Sequence, residues 1–148
     1  MIALPLFMLL LGQTPGEPRT PQLEACVTRE IEQDRDGSTC IGLLSGPCQD
    51  QPGGSSTSGM IACLSYERMD WTSLLNEALR RAQADPDLEP AAKRALARSQ
   101  ADWRRGMERS LAVYDGRDGT FWPVAREGVQ TDWIARRYLW VRSLTGPL

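Results

Sequence analysis

Residues 59–84 read GMIACLSYERMDWTSLLNEALRRAQA, and this stretch decides the fold. Ile61, Leu64, Trp71, Leu75, Ala78 and Ala82 recur at helical spacing through it. Over so long a run, that period predicts an amphipathic helix with one continuous apolar stripe. Ser56, Thr57 or Ser58 can cap its first amides. Asp85-Pro86 ends it, because proline lacks an N–H and disfavours helical backbone in the residue before it.

The chain on the C-terminal side repeats the pattern. From Pro90 to about Tyr114, Ala92, Leu96, Ser99, Trp103, Met107, Leu111 and Tyr114 form a second stripe, with Lys93, Arg94, Arg98, Arg104, Arg105 and Arg109 lying off it. Two long helices joined by a short proline-containing turn are expected to run antiparallel. Asp115-Gly-Arg-Asp-Gly119 reads as a turn, and residues 120–128 as irregular or briefly helical. A last helix is expected from about Gln130 to Leu144, with Ile134, Tyr138 and Val141 on one face. On the N-terminal side, residues 46–58 are rich in Gly, Pro and Ser and read as a loop, preceded by a short helical turn around Cys40. Thr20-Pro21 opens a further helix to about Gln33, carrying Leu23, Val27 and Ile31. No internal repeat or sustained strand alternation appears. The fold class is therefore all-α: a small helical bundle with two long antiparallel helices.

Ile2 to Leu11 is an apolar run without charge, broken only by Pro5. It is too short to span a bilayer, which takes roughly twenty residues. It fits the apolar region of a secretory signal, and small residues Thr14 and Gly16 place cleavage before Glu17. Residues 1–16 are thus read as a signal peptide and residues 17–148 as one exported helical domain, periplasmic or secreted, with no stable membrane anchor after cleavage. The four cysteines, Cys26, Cys40, Cys48 and Cys63, agree with export, since an oxidising compartment pairs them. Three pairings are open. The nested one is preferred, with Cys40 and Cys48 closing a short loop and Cys26 and Cys63 closing it from outside.

The 148 residues contain no histidine, which removes the usual general base and the commonest metal ligand. No C-x-x-C pair suggests zinc or redox chemistry. Glu67 with Asp70, and Glu30 with Asp34, lie one helical turn apart. Such pairs can do acid–base work, but they are common on ordinary helices and are read as structural. Gly53-Gly54 lacks the preceding strand and following lysine of a phosphate loop. The arginines around Arg104, Arg105 and Arg109 are read as a solvated face rather than a nucleic-acid site. Trp71 and Trp103 fall on the apolar stripes, whereas Trp122, beside Phe121 and Pro123, either seals the core or sits at a binding surface. Net charge is −2, divided as −7 over residues 17–90 and +5 over residues 91–148. Two opposed helix faces that help the halves dock, or an acidic surface for a cationic partner, both fit that division. The chain is read as non-catalytic, without cofactor or metal.

The order of several motifs resembles the lysozyme-inhibitor LprI-like family of bacterial envelope proteins. Cys40-Ile-Gly, Cys48, Thr57-Ser-Gly-Met60, Cys63, Glu67, Trp71 and Leu74-Leu75-Asn76 carry the likeness, followed by Gln100-Ala-Asp-Trp103. Gly119-Thr120, Pro123-Val124, Gly128, Arg137 and Leu144 continue it. Two cysteines usual in the family are replaced here by Leu111 and Val129, which are expected to pack together. The resemblance implies an exported protein that binds a protein partner, a lysozyme or other muramidase, and inhibits it by contact. The disulfide-closed segment from Cys40 to Cys63 is the expected contact region. The alternative is an envelope interaction module that inhibits nothing.

Overall fold

The computed structural model describes residues 20–145, so the segment read as a signal lies outside the described residues. The chain forms α1 (Thr20–Glu32), α2 (Ser45–Gln49), α3 (Thr57–Ala84), α4 (Pro90–Leu111) and α5 (Phe121–Thr145). Single 3-10 turns lie at Ser38–Cys40 and Ala112–Tyr114. The fold is all-α, with no strand among the described residues. No described helix is long and apolar enough to cross a membrane.

The helix boundaries have local causes. Ser56 caps α3, its hydroxyl accepting the amide of Gly59 at 3.1 Å. Pro90 opens α4 at a position where its missing N–H costs nothing. Two expectations are corrected. The segment 46–58 is not all loop, because residues 45–49 form the short α2. The last helix begins at Phe121 rather than near Gln130. Pro123 falls in its first turn, where proline is tolerated, and Gly128 is carried inside the helix rather than breaking it.

The most extensive helix interface is between α3 and α5. The hydroxyl of Thr131 donates to the carbonyl of Leu64, Trp71 meets Tyr138 with ring centroids 5.7 Å apart, and Ala78 shares a small cavity with Tyr138 and Arg142. Residue numbers rise together along the two helices, so α3 and α5 run parallel. The intervening α4 runs antiparallel to both, as expected of the α3–α4 pair. It docks through long side chains: Gln83 on α3 donates to the carbonyl of Lys93, Trp103 meets Trp133 at 6.5 Å, and Arg137 reaches Ser99 and Gln100.

The core lies between α1, α3 and α5. Trp71, Tyr138, Leu23, Val27 and Val141 are wholly buried there, joined by Leu96, Met107 and Leu111 from α4. Removing that much apolar surface from water is the main favourable term of the fold. Val129 is partly buried and packs against the same core that holds Leu111. Ile31 departs from its stripe: it is 38% exposed and lines a surface groove instead.

Candidate interaction site

The cysteines pair as Cys26–Cys40 and Cys48–Cys63, closing steps of 14 and 15 residues in sequence. This corrects the nested preference. After α1 the chain reverses through Asp34, whose φ is 57°, and Gly37, whose φ is 78°, and returns Cys40 beside its own helix. Cys48 lies on α2, which packs on α3 and delivers it to Cys63. The two neighbouring cysteines 40 and 48 are thus drawn to different helices, and each bridge ties one of them down.

Between the bridges, the turn at residues 41–45 is held by one carboxylate. Glu67 on α3 has no exposed surface. Its Oε1 accepts the amide of Gly42 at 2.7 Å and the indole N–H of Trp71 at 2.9 Å. Its Oε2 accepts the amides of Leu44 at 3.1 Å and Ser45 at 2.7 Å. Four donors around one buried carboxylate stabilise the anion that burial alone would penalise. Asp70, the other member of that pair, is buried as well. Glu67 therefore fixes the backbone of the 41–45 turn to α3.

The second half of the segment is pressed on the α3 N-terminus. A Cβ at Gly59 would stand 2.0 Å from the carbonyl oxygen of Gly53, and one at Gly54 would stand 2.4 Å from that of Cys48. Only glycine permits these approaches. Gly54 and Gly59 are thus required by close packing, whereas Gly53 has open space around it and serves a left-handed turn, its φ being 82°. The outer rim of the segment faces solvent, with Leu43 at 38% exposure and Gly46, Pro47, Asp50 to Gly53 and Ser55 also exposed.

A second exposed cluster lies at the same end of the bundle. α3 and α5 are parallel, so both start there, and the α4–α5 turn crosses it. Trp122 stacks near Tyr114 at 6.3 Å and edge-on to Phe121 at 5.0 Å, with the Arg117 guanidinium 4.3 Å from its ring centre. Phe121 is 67% exposed and Val113 is exposed beside the turn. Trp122 takes no part in the core, which decides between its two readings in favour of the surface. Sequence alone did not reveal that Arg117 and Tyr114 would brace it. A pre-braced Trp, Tyr and Arg set is the composition that carries energy at protein interfaces.

Trp71 is core, and Trp103 is half-buried against Trp133 and Arg137. Arg104, Arg105 and Arg109 are exposed, with Arg105 paired to Asp102 on its own helix. Glu30 accepts from Arg35 and from the Thr39 hydroxyl, which hold its carboxyl down to about 2. Glu77 pairs with Arg80 and Arg81. These pairs join residues of the same segment and leave its net −7 unchanged. Among the described residues no cluster of three or more His, Cys, Asp or Glu is placed to hold a metal.

Comparison with known proteins adds one finding. The profile of a family described as lysozyme inhibitor LprI matches residues 48–140, well over half of the chain. No curated protein and no solved structure matches.

Proposed function

The chain belongs to the lysozyme inhibitor LprI family, and on that premise we propose that it is an exported, non-catalytic protein that binds a lysozyme or related muramidase and inhibits it by contact. The observation that carries this reading is the doubly stapled segment between Cys40 and Cys63, fixed from beneath by Glu67. Inhibition by occlusion needs a surface that loses little entropy on binding, and a segment already held by bridges and buried hydrogen bonds meets that need. The braced Trp122 at the same end supplies an aromatic anchor. The bridges also accord with an oxidising, extracytoplasmic compartment.

The test is a muramidase assay with purified residues 17–148. Lysis is expected to slow in proportion to added protein, and Leu43→Asp and Trp122→Ala are expected to weaken inhibition by about tenfold or more with little change in melting temperature. Undiminished lysis at large molar excess, across several lysozyme types, would sink the proposal.

A further inference from the structure

A groove of about 510 Å³ runs between the C-terminal half of α1, the turn that follows it inside the Cys26–Cys40 loop and the C-terminal half of α5. Its size is that of small-molecule sites. Ile31, Leu139 and Trp140 supply apolar surface, and Trp140 is 42% exposed. Arg35, Arg136 and Arg142 also line it, against Asp36 as the one acid. Arg35 is committed to Glu30 and Arg136 to Asp132. Arg142 differs. It is 3% exposed, its Nη1 donates to the Tyr138 hydroxyl at 2.9 Å and its Nη2 to the Thr28 hydroxyl at 2.9 Å. Both acceptors are neutral, and its buried Nε has no partner. A buried guanidinium whose hydrogen-bond partners among the described residues are two neutral hydroxyls is an unfavourable arrangement that an incoming anion relieves.

We propose that this groove binds a free medium-chain carboxylate, its head group at the Arg142 end and its alkyl chain over Leu139, Ile31 and Trp140. Charge complementarity selects an anion and the apolar floor selects a hydrocarbon chain. The long walls are two helices whose main-chain groups bond internally, so the groove offers few partners to a peptide backbone. A ligand without amides fits better than an extended peptide.

The experiment is calorimetric titration of the purified chain with octanoate, and with 1-octanol and acetate as probes of each half of the ligand. Octanoate is expected to bind saturably, about tenfold or more tighter than octanol, with acetate undetected. Arg142→Gln keeps the shape and removes the charge, and is expected to abolish the preference for octanoate over octanol. Because Arg142 also joins α1 to α5, Ile31→Asp is made in parallel on the exposed rim, and is expected to weaken octanoate about tenfold while leaving the circular dichroism unchanged. Non-saturable uptake, equal affinity for octanoate and octanol, or wild-type affinity in Ile31→Asp would each overturn the proposal.

Discussion

Glu67 and Trp71 sit one turn apart on α3, and the indole N–H of Trp71 donates to Glu67 Oε1 at 2.9 Å in the centre of the core. The tryptophan fixes the carboxylate's position, and the carboxylate in turn collects the amides of Gly42, Leu44 and Ser45. An α3 residue thereby sets the shape of a turn more than twenty positions earlier. In Glu67→Gln the amide nitrogen faces a backbone N–H, leaving a buried donor unsatisfied. A loss of about 2–4 kcal/mol is expected in urea unfolding. Trp71→Phe empties one site on the carboxylate and reduces packing less severely. A Glu67→Gln variant as stable as the parent would show that the clamp does not hold the turn.

The bridge pattern makes a sharper prediction. Proteolysis without reduction is expected to yield peptides joined as Cys26–Cys40 and Cys48–Cys63. Each closed loop is short, so replacing either pair by serines is expected to cost about 3 kcal/mol. Loss of Cys48–Cys63 is expected to loosen residues 46–56 selectively, read as faster amide exchange there. A Cys40–Cys48 linked peptide would refute the arrangement.

These two features also mark where the sequence was legible and where it was not. The long helices could be read because Trp71, Leu75, Ala78 and Ala82 repeat with the period of a helix face, and all four are buried. The family likeness could be read because its motifs keep their order. The pairing of four cysteines could not, since spacing does not say which helix each one faces. The start of α5 was missed because Pro123 and Gly128 look like breakers, although one lies in the tolerant first turn and the other is absorbed inside the helix. Glu67 was visible as one of a helical carboxylate pair, but its donors come from backbone amides, which leave no mark in the sequence. Trp122 was placed at the surface only once Tyr114 and Arg117 were seen beside it.

Glu30 gives the chain a defined acid response. Hydrogen bonds from Arg35 and then Thr39 lower its carboxyl from 4.5 to about 2 in the folded state. A depressed folded value means that the carboxylate stabilises the fold fully above 4.5 and loses that contribution as pH falls towards about 2. Glu30→Gln is therefore expected to melt below the parent at neutral pH, with the gap closing through that window. A gap that is constant down to the acid end would remove Glu30 from the account. Since the group is near the surface, added salt is expected to narrow the neutral-pH difference.

Arg137 ties α4 to α5, reaching from the last helix to Ser99 and Gln100 on α4. Its Nε donates to Gln100 Oε1 at 2.8 Å and its Nη2 to the Ser99 hydroxyl at 3.1 Å. Its guanidinium lies 4.3 Å from the Trp140 ring centre and 5.7 Å from that of Trp103. Burial pulls its pKa below the usual arginine value. A planar fork that stacks and donates at once is something lysine cannot reproduce. Arg137→Lys is accordingly expected to cost about 2 kcal/mol and Gln100→Ala about 1 kcal/mol. The double variant is expected to cost less than the sum, because both remove the same bond. Since α4 docks through few such contacts, the damage is expected to concentrate in α4, read as raised amide exchange over residues 90–111 with α3 and α5 still protected. Uniform loss of protection across all three helices would show instead that α4 unfolds only with the whole domain.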